Sequence, residues 1–526
     1  MQEFIAKYES QIAGVLNGFD RLVFRGSLRK ISYVWGMQGY LWAQQVLLKD
    51  FGQHVQQITE RVKQAALRCM EACGRPVQYL YSSSVNKEEV ARGVAAKDHI
   101  TQGPVCALTC VEPCLGFDVY RNRKTRQLDL VQRTRKCLFV YQYWQHPVLG
   151  WMNARIQTWF PFAIQICING REWLARQLDR AGLGYQRQDN CFPWLADYRQ
   201  AQQLMDQQLR SDWPSLLNQV AAQLNPLHDE IFARFPLRYY WSTYQSEWAS
   251  DIVFRHRQDL QRLYPLWIHH ALTSFGSPEV MRFLAKKLTR QGQVPGQVTA
   301  QIVSDCRRRQ EGVRIKHRYN NNSIKLYDKA YTARGSVLRA EMTLDNPEDF
   351  QVYRRREGHP EEALAWQRMR KGIADLHRRA QVSQKVNDRY LDALAQTDDR
   401  TTLNELISQL HRPAFYHDQR VRALRPFAPD DRSLLQAISQ GQFTINGFRN
   451  RDLQALLYEA PAASPAQSRR RSASVSRKLR LLRAHHLIRK MPHSYRYQLT
   501  PLGRQIVTAV LAAGNAPINS FVVKAA

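Results

Sequence analysis

The pattern of apolar and polar residues over the first 215 positions predicts both helices and strands. Apolar residues recur at helical spacing over residues 1–18, and residues 19–25 then alternate as a strand does. The same two patterns predict helices at 40–48, 55–73, 87–95, 169–181 and 197–209, and strands at 77–81, 105–111, 137–143 and 154–159. We therefore expect residues 1–215 to form one α+β domain.

The pattern changes in the centre of the chain. Residues 216–425 are mainly helical in period and rich in aromatic side chains, which predicts a second, mainly helical domain. Residues 313–344 interrupt it with three alternating segments joined by short turns, so a small β insertion is expected there. The polar, proline-bearing stretch 413–429 is predicted to be a linker.

The last hundred residues predict a third domain, 430–526. Apolar periodicity places short helices at 433–440 and 450–458, a β-like start at 443–445 and a basic helix at 474–487. A hairpin at 488–499 and a closing helix capped by Thr500 follow. This order of helices and hairpin is the one a winged helix needs. The chain as a whole is thus expected to be an α+β multidomain protein with a C-terminal winged helix-turn-helix.

Charge narrows the possible partners. The chain has 76 Lys and Arg against 45 Asp and Glu, a formal net charge of +31, and residues 431–526 alone carry 15 Lys and Arg against 3 Asp and Glu. A protein this basic usually binds a polyanion, so DNA or structured RNA is the expected partner. The sequence has no apolar stretch of about 18 residues and no signal-peptide pattern, which predicts a cytoplasmic bacterial protein without membrane contact. It also has no glycine-rich nucleotide loop, so neither a nucleotide nor an organic cofactor is indicated.

The tail resembles the winged helix-turn-helix of MarR-like regulators. Three runs carry the resemblance: residues 474–482, residues 485–490 and residues 495–503. The resemblance implies that a basic helix enters a nucleic-acid groove and that the hairpin meets phosphates. The expected contacts are Arg477, Lys478, Arg480 and Arg483 on the helix, and Arg489, Lys490 and Arg496 on the hairpin.

The β insertion is similar to part of the rolling-circle replication initiators of plasmids and filamentous phages. The matching runs are Lys325-Leu326-Tyr327-Asp328-Lys329 and Leu338-Arg339-Ala340-Glu341. In such enzymes a tyrosine attacks a DNA phosphodiester while a bound metal polarises the phosphate. The resemblance makes four residues catalytic candidates: Tyr319, Tyr327, Asp328 and Glu341. Tyr319 is the preferred nucleophile because it precedes the asparagine turn on the outer strand.

Alternation along the insertion places cations beside these candidates. Lys325, Tyr327 and Lys329 share one face of their strand, and Arg339 shares a face with Glu341. Such a face suits a phosphate, so Lys325, Lys329 and Arg339 are predicted to bind nucleic acid. Two interpretations stay open: a sheet that cuts the backbone, and one that binds it without cutting.

The N-terminal part offers its own carboxylates and arginines. Asp20 opens a strand, Glu112 ends one, and Asp189 lies near an element end. Two-metal nucleases collect carboxylates from separate strand ends, so these three could bind Mg²⁺ or Mn²⁺. Ion pairs and helix caps are the alternative explanation. Arg155 and Arg171 are predicted surface contacts to nucleic acid.

Short runs spread along the chain resemble a set of bacterial proteins that look like products of mobile elements. They are Gly18-Phe19-Asp20-Arg21, Glu112-Pro113-Cys114, Gln157-Thr158-Trp159-Phe160-Pro161-Phe162, Asn169-Gly170-Arg171-Glu172-Trp173-Leu174 and Phe448-Arg449-Asn450-Arg451-Asp452. The leading hypothesis is a nucleic-acid-binding protein of a mobile element that nicks or transfers a DNA strand. The alternative is a non-enzymatic winged-helix regulator, or a protein that binds a structured RNA.

Overall fold

The computed structural model describes residues 1–284, 303–309, 312–332, 335–356, 358–396, 402–440, 443, 447–458, 460–491 and 494–515. Its strands, in chain order, are β1 (Ile12–Ser27), β2 (Val77–Leu80), β3 (Gly103–Arg121), β4 (Leu128–His146), β5 (Gly150–Gln157), β6 (Ile164–Asn169), β7 (Tyr185–Gln188), β8 (Cys191–Leu195), β9 (Tyr240–Phe254), β10 (Val303–Arg309), β11 (Gly312–Tyr319), β12 (Asn322–Thr332), β13 (Gly335–Leu344), β14 (Gln351–Arg354), β15 (Ala365–Arg368), β16 (Ala414–Tyr416), β17 (Gln419–Val421), β18 (Ile488–Lys490) and β19 (Tyr497–Leu499).

The α-helices pack against these strands. They are α1 (Gln2–Tyr8), α2 (Val34–Ala43), α3 (Phe51–Glu71), α4 (Lys87–Lys97), α5 (Gly170–Arg180), α6 (Tyr198–Asp206), α7 (Trp213–Leu224), α8 (His228–Ile231), α9 (Arg257–Ser274), α10 (Ser277–Phe283), α11 (Leu376–Ala395), α12 (Leu403–Ser408), α13 (Pro429–Ile438), α14 (Asn450–Leu457), α15 (Pro465–Ala484) and α16 (Pro501–Asn515). Within the described part of the chain, no helix combines the length and the apolar character that crossing a bilayer requires.

One large sheet organises most of the chain. In the described residues its strands run β10-β11-β12-β13-β9-β1-β6-β5-β4-β3-β2, and every pair is antiparallel except β2 with β3. The three strands predicted at 313–344 are confirmed as β11, β12 and β13. Asn320 and Asn321 join the first two with φ of 45° and 65°, the left-handed conformation that a two-residue hairpin turn needs.

The helix predicted over residues 1–18 is wrong beyond its first turns. Helix α1 ends at Tyr8, and β1 begins at Ile12 and runs for 16 residues. Strand β1 is bonded on both sides, to β6 and to β9, which makes it the central strand of this region. Its sheet partners override the local helical spacing of the apolar residues.

The sheet has one apolar and one polar face around β1. Helices α2, α3 and α7 cover Leu22 and Phe24 on the apolar face. Farther along the same face, α9 and α11 cover Ile324, Leu326 and Met342. The opposite face carries charged side chains that α4, α5, α6 and the β7–β8 hairpin cover only in part.

The sheet crosses the boundary predicted at residue 215. Strand β9 lies in the segment expected to be mainly helical, yet it pairs with β1 over 14 residue pairs and with β13 on its other side. Residues 1–215 and the strands of residues 240–344 therefore build one sheet together, and both buried clusters beside it contain side chains from before and after residue 215.

The tail has its own core, which starts before residue 430. Ile407, Leu410, Val421 and Leu424 belong to the same buried cluster as the apolar side chains of α13, α15 and α16. Strands β16 and β17 form a hairpin inside the stretch expected to be a linker. In the tail the elements follow the order helix, helix, helix, hairpin, helix. The β-like start predicted at 443–445 lies outside the described residues except for Phe443.

Candidate functional site

Three carboxylates converge on the polar face of the sheet. Asp20 lies on β1, Glu247 on β9 and Glu341 on β13, which are neighbouring strands. One carboxylate oxygen from each lies within 4.8 Å of the others. Asp20 and Glu341 are 4% and 1% exposed, and the Glu247 side chain is 16% exposed. We call these three residues the carboxylate triad.

A β-bulge places Asp20 in the triad. Phe19 pairs with Trp248 and Arg21 pairs with Glu247, so Asp20 is the extra residue between two successive pairs. A bulge redirects a side chain that the alternation of a regular strand would send elsewhere. Asn190, in the turn between β7 and β8, donates to both Asp20 oxygens at 2.9 and 2.7 Å.

Buried cations hold the carboxylates in place. Arg339 donates to Asp20 at 3.0 Å and to both oxygens of Asp251 at 2.5 and 2.8 Å. The Lys325 ammonium contacts Glu341 at 2.5 Å and Glu247 at 3.4 Å. Arg171 pairs with Asp251 at 2.9 Å. The network thus has four carboxylates and three cationic partners.

Helix α5 brings Arg171 to this network. Asn169 caps the helix by accepting from the backbone N–H groups of Arg171 and Glu172. A Cβ on Gly170 would lie 1.8 Å from the Phe19 carbonyl oxygen, so only glycine lets the helix start this close to β1. The close approach places Arg171, which is fully buried, beside Asp251.

The pKa values of the triad diverge. Burial and the neighbouring Glu341 raise the pKa of Glu247 to about 7. Burial would also raise the pKa of Glu341, but Lys325 and Arg339 outweigh it and bring that pKa down to about 2. Burial raises the pKa of Asp20 despite its contact with Arg339. The network has more carboxylates than cationic partners, and this excess, together with burial, raises the pKa of Glu247 to near neutrality.

Two cavities flank the triad and share Glu247 in their linings. One, of about 530 Å³, contains Arg21, Lys87, Arg92 and Arg155. The other, of about 870 Å³, contains Lys316, Arg318, Lys325 and Lys371. The second also has the acidic side chains Asp345 and Glu348, and the buried Thr343 hydroxyl in its wall makes no hydrogen bond within the described residues. The two linings meet at Glu247, whereas Asp20 lines the first cavity and Glu341 lines neither.

No protein-family model, no curated protein and no solved structure matches this chain.

Two of the four catalytic candidates lie at this site. Glu341 is a triad member, and the buried Tyr327 donates its phenolic hydrogen to Glu341. Burial holds the pKa of Tyr327 well above its ordinary value. Lys325 and Arg339, both predicted to bind phosphate, contact the triad carboxylates directly.

The other two catalytic candidates lie elsewhere. Tyr319 packs with the apolar cluster beneath β11, on the face opposite Glu341, so the tyrosine preferred as nucleophile lies away from the triad. Asp328 follows Tyr327 and, by alternation, faces the apolar side, where Ser336 donates to it at 3.2 Å. Burial raises the pKa of Asp328 to about 7, but this carboxyl does not belong to the triad.

The predicted metal set of Asp20, Glu112 and Asp189 is wrong in two of its three members. Glu112 lies on β3, where it pairs with Lys87 at 3.0 Å and with Arg155 at 3.1 Å. Asp189 is 67% exposed and pairs with Lys329 at 2.9 Å. Glu247 was not among the predicted residues because its segment was interpreted as helical. Alternation of Glu247 and Asp251 with Trp248 and Ile252 was the available signal.

Of the two arginines predicted at the surface, only Arg155 reaches solvent. It is about one-third exposed and lines the first cavity while pairing with Glu112. Arg171 is fully buried in the carboxylate network, so its predicted surface role is wrong. The sequence around each arginine cannot distinguish the two, because pairing decides which charged residue can be buried.

The predicted contacts of the tail lie on α15 and the β18–β19 hairpin. Arg477, Arg489 and Lys490 are exposed, and Lys478 is half-buried. Arg480 donates to Gln419 at 2.6 Å, and the Arg483 guanidinium lies 4.6 Å from the Tyr416 ring, so both reach toward the β16–β17 hairpin. Arg496 is half-buried and donates to the Gly447 carbonyl at 3.2 Å.

Proposed function

We propose that this chain binds DNA or structured RNA and breaks a phosphodiester bond with a divalent cation held by the carboxylate triad. The observation that carries the proposal is the convergence of Asp20, Glu247 and Glu341 from three neighbouring strands, between two cavities lined by cations. Oxygen donors of this kind suit Mg²⁺ or Mn²⁺.

The charge balance of the network supports a cation. Four carboxylates share Arg171, Arg339 and Lys325, and Glu247, whose pKa is raised to about 7, takes up a proton as the pH falls through neutrality. A divalent cation would replace that proton, since like charges this close raise each other's pKa unless a counter-charge is present. The Lys325 ammonium would then be released from Glu247 toward a phosphate oxygen.

The cation would act as a Lewis acid on the phosphate and lower the pKa of an attacking water. The side chains around it orient the reaction. Lys325 is placed to neutralise charge that develops on the phosphate, and Tyr327 fixes the Glu341 carboxylate through its hydrogen bond. Because Tyr327 is buried and its pKa is well above ordinary, water is the proposed nucleophile and Tyr327 a positioning residue.

Cleavage of supercoiled and single-stranded DNA and of structured RNA in Mg²⁺ or Mn²⁺ tests this function. We expect cleavage that chelator abolishes, and that Asp20→Asn and Glu341→Gln reduce by about 100-fold or more while nucleic acid still binds. Asp118→Asn is the matched control, because Asp118 pairs with Arg133 and Arg135 away from the triad. Equal activity of the triad variants would refute the proposal.

The same assay separates the two nucleophiles. Attack by water leaves a terminal phosphate on one product, a free sugar hydroxyl on the other, and an unmodified protein. Attack by Tyr327 would join its phenolic oxygen to phosphorus, release the sugar hydroxyl as leaving group, and add a nucleotide mass to the peptide that contains Tyr327. Tyr327→Phe removes the second route entirely, whereas it only weakens the first.

We further propose that residues 402–515 form a winged-helix domain that recognises duplex or structured nucleic acid. The element order supports it, as does the bridge of Phe448 to Tyr497, which adds a third strand position beside β19. Replacing Arg477, Lys478 and Arg480 by Ala should reduce duplex affinity by about tenfold or more, with circular dichroism unchanged. If the unaltered protein cuts none of these substrates while this variant loses duplex binding, a non-enzymatic regulator is the better description.

A further inference from the structure

Helix α2 presents two tryptophans to solvent on the apolar side of the sheet. Trp35 is 71% exposed and Trp42 is 84% exposed. Their spacing of seven residues puts both on one side of the helix, with Gly39 between them. Tyr33 stacks on Trp35 with ring centroids 5.0 Å apart and planes at 25°. Large exposed aromatic surface of this kind marks a binding site more often than a free surface.

A basic cavity opens beside this aromatic face. Its volume is about 700 Å³, and its lining includes Arg29, Lys30 and Arg238, with Asp229 as its acidic member. The Phe235 ring connects the two features: its edge lies 3.8 Å from a Cβ built on Gly39, and the Lys30 ammonium lies 6.0 Å from its centroid. Through Phe235, which is partly buried, the basic cavity therefore adjoins the helix that carries the two exposed tryptophans.

A basic hairpin adjoins the same helix. Gln132 of β4 donates to the Ser32 carbonyl at 3.1 Å, directly before α2. From there β3 and β4 continue to a tip at residues 121–128 that carries Arg121, Arg123, Lys124 and Arg126. A strand of nucleic acid that leaves α2 along this hairpin would keep its phosphates near positive charge.

We propose that α2 and the basic cavity beside it form a second nucleic-acid site, which binds a single strand by stacking bases on Trp35 and Trp42. Exposed rings that alternate with cations are the usual means of holding unpaired bases, because a duplex hides its base faces. The site lies behind Leu22 and Phe24, on the side of the sheet away from the triad. It stands whether or not the triad binds a metal.

Two other occupants fit less well. A second copy of the chain would bring the same basic surface into contact with itself, and like charges oppose that. A membrane surface would cover the tryptophans but leave a cavity lined by three cations without a ligand.

Photocrosslinking locates the site directly. The full-length protein is irradiated with a single-stranded oligonucleotide that carries 5-iodouracil, and the digest is examined by mass spectrometry. Trypsin cuts after Lys30 and Lys49, so Tyr33, Trp35 and Trp42 fall in a single peptide, 31–49. We expect the main adduct on this peptide, and expect a duplex competitor to remove it less effectively than a single strand. Adducts confined to tail peptides would overturn the proposal.

Binding measurements then test the stacking. Trp35→Ala with Trp42→Ala should weaken single-strand affinity by about tenfold or more, and the matching Trp→Phe pair should stay within about threefold of the original. Trp366→Ala is the control, since Trp366 is also exposed, at 58%, but lies on β15. Repeating the series in the Arg477, Lys478 and Arg480 alanine background removes binding by the tail. Unchanged single-strand affinity, or tryptophan-dependent binding to anionic vesicles or to a second copy instead, would refute the single-strand site.

Discussion

Glu247 and Glu341 lie on adjacent strands of one site, yet their environments move their pKa values in opposite directions. Glu341 contacts Lys325 at 2.5 Å and is also stabilised by Arg339 and Tyr327. Glu247 has only the longer contact to Lys325, and it feels the charge of Glu341. One carboxylate therefore stabilises the fold in its charged form, whereas the other is destabilising when charged.

This difference predicts stability changes of opposite sign. The raised pKa of Glu247 stabilises the fold below about pH 4.5, and that contribution is lost as pH rises through 7. Glu247→Gln should therefore raise the free energy of unfolding by about 2 kcal/mol near pH 8, and by much less near pH 5. Thermal melts in chelator at both pH values measure the change. If stability does not rise at the higher pH, the charged Glu247 carboxylate does not destabilise the folded protein.

Glu341→Gln is the matched variant of the neighbouring carboxylate. The lowered pKa of Glu341 gives stability that is present above about pH 4.5 and lost as pH falls through 2. Its removal leaves Lys325 underpaired, so the variant should lose about 3 kcal/mol at neutral pH. A stabilised Glu341→Gln protein would contradict this pairing.

Metal binding at the triad should release a proton. Glu247 holds a proton below about pH 7, and a carboxyl must lose it to become a ligand. Mn²⁺ affinity should accordingly fall as pH drops below 7, with about one proton released per ion near pH 6. Calorimetry in two buffers of different ionisation enthalpy counts that proton. The Glu247→Gln protein should bind more weakly and release fewer protons than the original.

At the residue scale, the sequence predicted which kinds of side chain form the site better than it predicted which individual residues belong to it. Alternation correctly placed Lys325 with Tyr327, and Arg339 with Glu341, because a strand has a fixed period of two. Alternation could not predict that Asp20 lies at a β-bulge and points to the same side of the sheet as Glu247. The position of a bulge is set by pairing with the partner strand. Nor could alternation separate Arg171 from Arg155, since burial of an arginine depends on the distant Asp251.

The elements show where local pattern is decisive and where it fails. Helix α5 was predicted over residues 169–181 from its apolar pattern, and the Asn169 cap that starts it is a local feature too. The first part of strand β1, residues 12–18, was assigned to a helix because the spacing of its apolar side chains suits both conformations, and Asn17-Gly18 resembles a helix end. The rest, residues 19–25, was predicted to be a strand. The choice is made by β9, whose residues lie more than 200 positions later.

The buried contacts of the tail predict that its stable fold begins before residue 430. A fragment that begins at residue 430 lacks Ile407, Leu410, Val421 and Leu424, which are buried in the tail core. It also lacks Arg422, which pairs with Asp431 and whose carbonyl contacts His485 at 3.0 Å. We expect fragment 402–526 to melt cooperatively and fragment 430–526 to be less stable by several kcal/mol. Equal melting temperatures would show that the β16–β17 region is only a linker.

Across the whole molecule, one sheet joins segments that the sequence suggests are separate domains. Strand β9 pairs with both β1 and β13, so the triad forms only after these three distant segments of the chain have assembled into the sheet. Pairings of such sequence separation leave no local trace, because the entropy of closing the loops is compensated only by the finished sheet. The predicted boundary at residue 215 followed composition and missed this.

The net charge of the chain predicts how its affinity for nucleic acid responds to salt. A charge of +31, with cations in both cavities beside the triad, at α2 and on the tail, implies that phosphate contacts dominate nucleic-acid affinity. Affinity should fall by about 10³ or more between about 50 and 200 mM salt if at least six phosphates are neutralised. Replacing Arg477, Lys478 and Arg480 by Ala should reduce the slope of log affinity against log salt by about 1 for each phosphate that is no longer neutralised. Fluorescence anisotropy across a salt series measures both values, and a flat titration would exclude nucleic acid as the partner.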